Sequence, residues 1–222
     1  LTAVELRVLK EGTVLRDHGG AILDASSSVV LVLAEGRTIV VDTGMPRDAD
    51  ALLRALAAQG LRPADVDTVL NTHNHLDHTG CNHVFGRAEV LLHPLEGAPR
   101  RGAGRVRHLT GEEVLAPGAA VIDTPGHTRG HVSLLVEARG GPWVVAGDAV
   151  PVRDNLRLWV PPGINYDPYV ALHSMERIAG RARMVVPGHG APFSVEGARP
   201  GARPGASPRP VIGVGARAPG PP

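Results

Sequence analysis

Residues Asn71–Gly80 read NTHNHLDHTG, so His73, His75, Asp77 and His78 fall within six positions, directly after the strand-like run Asp67–Leu70. Imidazoles at i and i+2, with a carboxylate and a third imidazole beside them, form a metal-ligand set. Such donors share one ion only when a rigid element aims them, because binding residues on loops need a fixed scaffold. The chain must therefore end a buried strand at Leu70 and turn four donors towards one point. The alternative is a polar loop that is rich in histidine by chance, and four ligand-type side chains in six positions weigh against it.

The remaining sequence supplies a frame of this kind. Glu5–Leu9, Ser28–Leu33, Thr38–Val41, Ala88–Leu92, Ala119–Ile122, His131–Glu137, Trp143–Ala146 and Arg183–Val186 read as strands. SVVLVLAEGRTIVVDTG predicts a hairpin turning near Glu35-Gly36. Leu52, Leu53, Leu56 and Ala57 recur at helical spacing in Asp48–Gln59, which Gly60 stops, and a second helix fits Pro168–Ala179. Strands come first and then alternate with helices. A two-sheet sandwich with helices outside accommodates that order better than a doubly wound sheet. Residues 1–195 are expected to form one domain.

From Glu196 the composition turns to Gly, Pro, Ala and Arg, and residues 196–222 are expected to be a disordered tail. The tail holds Arg199, Arg203, Arg209 and Arg217, which leaves residues 1–195 slightly acidic although the whole chain carries +1. A basic stripe over the domain, the usual footprint of a nucleic-acid binder, is absent. An RNA-touching arm is the alternative reading of the tail. Cys81 is the only cysteine, which excludes an intrachain disulfide. The start lacks a basic segment followed by an apolar one, and no apolar stretch approaches the roughly 20 residues of a membrane helix. A cytoplasmic protein without membrane contact is expected, with a homodimer left open.

Three further donors follow apolar runs and sit among glycines: His127 in DTPGHTRGH, Asp148 in VVAGDAV and His189 in VVPGHGAPF. HNHLDH fits the pattern HxHxDH. With DTG at Asp42–Gly44, TPGHT, GD and GHG in that order over about residues 28–193, the chain resembles the metallo-β-lactamase superfamily. The resemblance implies an α+β fold, the αββα four-layer sandwich. It also implies that His73, His75 and His127 hold one metal, that Asp77, His78 and His189 hold a second, and that Asp148 bridges them. Asp42 and His131 would support the site from behind. Nitrogen and carboxylate donors without thiolate suit two Zn²⁺, with Fe or Mn possible. Two such ions share a water whose pKa falls towards about 7, giving a hydroxide nucleophile, and Asp77 would orient it and carry its proton. The reaction class is metal-assisted hydrolysis.

Substrate class is less sharply marked. The interval between Asp148 and His189 has no room for the inserted domain of the β-CASP branch. The stretch after His189 is too short for the helical domain of glyoxalase II. Class B β-lactamases differ in their second ligand set. Lactonases often carry a tyrosine soon after the bridging aspartate; DAVPVRDN has none, though Tyr166 or Tyr169 could fill the role. VVDTGMPRDADALLRALAAQGLRPADVDTVLNTHNHLDH and VVPGHGAPF resemble the branch of metallo-β-lactamase domain-containing protein 1 and its short prokaryotic relatives. That resemblance implies phosphodiester hydrolysis, as in an endonuclease acting on single-stranded RNA. Arg100, Arg101, Arg105 and Arg107 could grip phosphates, or simply coat a solvated loop. The alternatives are a small-molecule ester, thioester or lactone hydrolase, and a mononuclear iron oxygenase of the persulfide dioxygenase type. The loop Pro151–Asp167, with Trp159 and Tyr166, is expected to line the substrate pocket; a packed surface loop is the other reading. Cys81 reads as a packed thiol, and His18, His83, His93, His108 and His173 as residues outside the metal set.

Overall fold

A computed structural model describes residues 4–98 and 104–196. Arg100, Arg101 and the tail from residue 197 onward lie outside the described residues. In chain order, β1 (Glu5–Lys10) is followed by β2 (Thr13–Arg16), β3 (Ile22–Ser26), β4 (Val29–Ala34), β5 (Arg37–Val41) and α1 (Ala49–Ala58). Then come β6 (Thr68–Leu70), α2 (Leu76–Thr79), β7 (Glu89–Leu92), β8 (Arg105–His108), β9 (Val114–Ala116), β10 (Ala119–Asp123), β11 (Val132–Ala138) and β12 (Gly141–Gly147). α3 (Arg153–Leu158), α4 (Pro168–Arg181), β13 (Met184–Pro187) and β14 (Phe193–Ser194) complete the described chain.

Two six-stranded sheets result, ordered β1-β4-β5-β6-β7-β8 and β14-β13-β12-β11-β10-β9. β4 and β5 pair directly, with Ala34 opposite Arg37 across Glu35-Gly36. From β5 to β8 the first sheet is parallel, as is the pair β12–β13 in the second.

Alternation explains the layers. Successive strand residues point to opposite faces, and in β4 both faces are covered. Val30 and Val32 join Leu134, Val136, Val145 and Val186 between the sheets. Val29 and Leu31 join Leu52 and Leu56 of α1 on the outside of the first sheet. On the outside of the second sheet, Val144 and Val185 pack with Leu156 of α3 and with Met175 and Ile178 of α4. Helix, sheet, sheet, helix is the expected αββα order. Among the described residues no helix is long and apolar enough to cross a membrane.

Several elements are additional to the sequence reading. The β2–β3 hairpin is largely exposed, with Leu15 and Leu23 in solvent. β8 carries alternating arginines, β9 has three residues, and α3 has six inside a proline-rich segment. All are short and poorly buried, so they lack the long apolar pattern that marks the central strands.

Candidate metal centre

The candidate donors leave the frame at strand ends. Asp42 directly follows β5, Asn71–His75 follow β6, Asp148 directly follows β12, and His189 lies just past β13. His127 sits in the turn between β10 and β11, and α2 carries Asp77 and His78. Ligand sites of α/β sheets concentrate at such carboxyl ends. Three sets of donor atoms lie within 4.8 Å of one another: His73–His75–His127, His73–His78–Asp148 and Asp77–His78–His189.

Hydrogen bonds behind the rings decide which nitrogen faces inward. His127 Nδ1 donates to Ile164 O (2.7 Å), His189 Nδ1 to Ser26 O (3.1 Å) and His78 Nδ1 to Asp42 Oδ2 (2.7 Å). Thr72 Oγ1 donates to Asp42 Oδ2 (2.8 Å), so it is free to accept from His73 Nδ1 (3.1 Å). In each ring the proton sits at Nδ1 and the Nε2 lone pair points into the cluster, the arrangement that orients metal-binding histidines.

Those lone pairs crowd together. His73 Nε2 and His127 Nε2 stand 2.9 Å and 3.0 Å from His75 Nδ1. One proton at most can serve that triangle, and a cation satisfies all three nitrogens. Asp148 splits its carboxylate. Oδ2 lies 3.5 Å from His127 Nε2, while Oδ1 lies 3.3 Å from His189 Nε2 and 3.5 Å from His78 Nε2. His78 Nε2 and Asp148 Oδ1 are buried without a hydrogen-bond partner. A buried polar pair left in this state calls for a ligand. The donor set therefore fits metal ions, and no thiolate takes part.

Proton affinities follow the same division. Burial, then the facing His78 and His127, holds His73 well below the ordinary histidine range, and burial lowers His75 as well. Burial also opposes charge on His78 and His189, but Asp42 and Asp148 raise His78 well above that range, and Asp148 raises His189. Against its own burial, Asp148 falls well below the usual carboxylate range because His78 and His189 face it. Burial thus disfavours charge on His73 and His75, while the Asp148 carboxylate favours a positive charge beside His78 and His189.

Asp42 and His131 lie behind the candidate donors. Asp42 is buried in the left-handed region (φ 55°) and accepts the Thr72 N–H (2.8 Å) besides Thr72 Oγ1 and His78. His131 accepts the Ala149 N–H at Nε2 (3.2 Å), and its Nδ1 faces Thr124 Oγ1 (2.9 Å), which faces Ser133 Oγ (2.8 Å). Burial, followed by His127, holds His131 well below the histidine range. This chain fixes the turn that presents Asp148. A Cβ on Gly188 would lie 1.9 Å from Asp148 Oδ1, so only glycine leaves room for the carboxylate. Cys81 is buried and donates to Met45 O (3.0 Å), in keeping with a packed thiol.

The loop residues separate. Tyr166 N–H donates to Gly126 O (2.9 Å), and the Arg129 guanidinium stands 5.7 Å from the Tyr166 ring centre. Tyr166 thus lies against the His127 turn. Trp159 instead packs on the apolar cluster between the second sheet and α3–α4, at the left-handed end of α3 (φ 52°). Arg105 and Arg107 are held by Glu89 at 3.1 Å and 3.0 Å, and Arg107 also by Glu113 at 2.6 Å. Arg105 begins β8 in register with Glu89, at the strand end away from the donors. Arg107→Ala is accordingly expected to leave kcat and KM unchanged on every substrate; a raised KM on RNA alone would restore the phosphate-gripping reading.

One residue that the motifs do not mark is Glu96. Its carboxylate receives the Asn74 and Gly130 N–H groups, and nothing in LLHPLEG signals that role.

A two-sheet sandwich that turns buried, lone-pair-bearing imidazoles on a shared carboxylate defines a metal-dependent hydrolase. Residues 22–189 match the metallo-beta-lactamase superfamily domain, and the chain belongs to that superfamily. It is 38% identical over 196 residues to metallo-beta-lactamase domain-containing protein 1 of Xenopus laevis, covering 86% of this chain and 81% of that protein. It is 32% identical over 186 residues to a protein of Methanocaldococcus jannaschii named as a metallo-hydrolase, covering 84% and 87%. An N-acyl homoserine lactonase of a Bacillus species is 26% identical over 221 residues, covering 80% and 88%. A Thermotoga maritima crystal structure assigned to the metallo-beta-lactamases superposes with a TM-score of 0.69 at 25% identity, covering 86% of this chain and 99% of that one.

Proposed function

We propose that the chain is a binuclear hydrolase that cleaves the acyl bond of an ester, lactone or thioester. The observation that carries this reading is Asp148, whose two oxygens face different imidazole clusters within 3.5 Å. His73, His75 and His127 would hold one ion and Asp77, His78 and His189 the other, with Asp148 between them. Metal ions held there, Zn²⁺ (or Fe or Mn), would supply a water nucleophile activated at neutral pH and Lewis acidity towards the scissile carbonyl. Asp77 Oδ2 stands 3.7 Å and 3.8 Å from His189 and His78 Nε2, with its side chain part-exposed. From that edge it can take a proton from the attacking water and pass it to solvent.

The rim around the cluster favours an acyl group over a polyanion. Leu76, Ile164 and Tyr166 are 38%, 56% and 48% exposed and adjoin His75 and the His127 turn. The described arginines of residues 98–108, Arg105 and Arg107, are engaged by Glu89 and Glu113, which favours an acyl substrate over RNA. Similarity to a lactonase supports the same choice. Tyr166 and Ile164 would contact substrate, with Trp159 bracing the loop from below. The complete second donor set argues for hydrolysis rather than mononuclear iron chemistry.

The test is metal analysis followed by an activity panel on the full chain: an N-acyl homoserine lactone, a thioester, single-stranded RNA and a persulfide. Two ions per chain with acyl cleavage are expected. Cleavage of RNA alone would remove the acyl reading, and a single iron with oxygen uptake would remove hydrolysis. Ile164→Asp is expected to raise KM for a long-chain acyl substrate by roughly tenfold, to change KM for a short one little, and to leave metal content alone. An equal effect on both chain lengths would take Ile164 off the acyl path.

A further inference from the structure

We propose that Glu96 is the positioning residue of the three-histidine site, fixing the distance between the two loops that carry His73, His75 and His127. The inference rests on those histidines holding a metal and extends the reading to a side chain that the metal motifs do not include.

The two loops come from different sheets. His73 and His75 extend from β6 in the first, and His127 lies between β10 and β11 in the second. Their nitrogens meet at about bonding range of a common centre, so the sheets must be spaced correctly at this end. Val132 N–H to Thr72 O (2.9 Å) ties the sheets at the base of the loops. Beyond it, Glu96 provides a second tie nearer the donors. Its Oε2 accepts the N–H of Asn74, the residue between His73 and His75 (3.0 Å), and its Oε1 accepts the N–H of Gly130, just past His127 (2.9 Å). One rigid, planar group thus spans both loops, with an oxygen for each.

The surroundings hold Glu96 in that pose. It ends a short turn, Pro94–Glu96, in which the Leu95 N–H donates to His93 Nδ1 (3.1 Å). Asn74 returns the contact, its side-chain amide donating to Glu96 O (3.0 Å) and Ala98 O (2.7 Å). Gly130 approaches so closely that a Cβ there would lie 2.6 Å from His93 Nδ1 and 3.0 Å from Glu96 Cγ and Oε1. Hydrogen bonds from backbone N–H to a carboxylate are among the stronger ones, and groups behind metal ligands typically govern affinity by 10–100-fold.

Glu96→Gln separates this role from packing. The amide keeps the shape, but its NH₂ faces one of the two backbone donors, so one loop is released. The full-length apo chain would be titrated with Zn²⁺ against a chromophoric chelator, with His189→Ala present throughout so that the three-histidine site is read alone. Relative to that parent, Glu96→Gln is expected to weaken binding by about ten- to a hundredfold and Glu96→Ala at least as much. The Co²⁺ absorption of the loaded site should shift, while the metal-free chain keeps a cooperative melt. Unchanged Zn²⁺ affinity in Glu96→Gln would overturn the proposal, as would weakening seen only together with loss of the cooperative melt. If the unsubstituted chain, with His189 in place, binds Zn²⁺ but hydrolyses nothing in the panel, the acyl-hydrolase reading falls while the role of Glu96 stands. A parent that takes up no Zn²⁺ overturns both.

Discussion

Asp148→Asn is expected to lower kcat/KM by at least about a thousandfold, the scale seen when a group shared by the whole reaction centre is removed, and to reduce metal content from two ions towards one. Burial and geometry both argue for an effect of that size. The side chain is 10% exposed, and its two oxygens reach His127 on one side and His78 and His189 on the other. An amide keeps the volume but has one acceptor. Its NH₂ would point at imidazole lone pairs that are already turned inward by Ile164 O, Asp42 and Ser26 O. Nor does it carry the negative charge that the buried centre needs in order to hold cations. The fold should tolerate the change, because Gly188 N–H bonds Gly147 O and Val150 O rather than the carboxylate. Metal analysis and steady-state kinetics on one preparation decide the matter: two ions with activity within tenfold of the parent would show that Asp148 does not join the clusters.

The parts of this fold that were legible in the sequence are those buried on both faces. Val29–Leu33 and Ile39–Val41 are continuous apolar runs because α1 covers one side of their sheet and the second sheet covers the other. Asp48–Gln59 showed its helical period because only Leu52 and Leu56 face the sheet fully. The β2–β3 hairpin, β8 and α3 left no such trace. They are short, part-exposed and held by side-chain pairs such as Arg47–Asp24 and Arg107–Glu113, which carry no period.

The candidate donors stood out for a similar reason: histidines and aspartates among glycines at the ends of apolar runs are rare. What the sequence could not indicate is which ring nitrogen faces the cluster. That depends on acceptors far along the chain, 163 residues from His189 to Ser26 and 37 from His127 to Ile164, and two of the four are backbone carbonyls without side-chain identity. Glu96 was hidden for the same reason, since both of its partners are backbone N–H groups. Trp159 shows the converse. Its place in a proline-rich loop suggested a pocket wall, yet its ring lies on the apolar cluster of the second sheet.

Asp42 links fold and centre, and its replacement should give the largest loss of stability. The carboxylate is 2% exposed and accepts from Thr72 N–H, Thr72 O–H and His78 Nδ1–H at 2.7–2.8 Å. Asp42→Ala leaves the buried Thr72 N–H and O–H without their acceptor, leaves His78 Nδ1 only its 3.4 Å contact with Thr72 Oγ1, and removes the charge that faces His78. Breaking a buried pair in this way costs about 3–5 kcal/mol, against roughly 5–15 kcal/mol for a whole domain. Alanine also tolerates φ 55° less well than aspartate. At about 2–4 °C per kcal/mol for a domain of this size, the melting point should fall by roughly 10 °C. Asp42→Asn divides the two functions of the side chain. The amide keeps the shape and, with its oxygen on the Thr72 N–H, one of the three bonds, so stability should fall less. Its NH₂, however, competes with the proton on His78 Nδ1. If that proton moves to Nε2, the ring presents N–H instead of a lone pair to Asp77 and Asp148, and the second cluster loses a donor. The asparagine variant is therefore expected to melt nearer to the parent than the alanine variant while binding one Zn²⁺ rather than two. Thermal melts of the metal-free proteins and Zn²⁺ titration of each provide the check. A full complement of two ions in Asp42→Asn, or a melt of Asp42→Ala within about 2 °C of the parent, would mean that His78 is oriented by something other than this carboxylate.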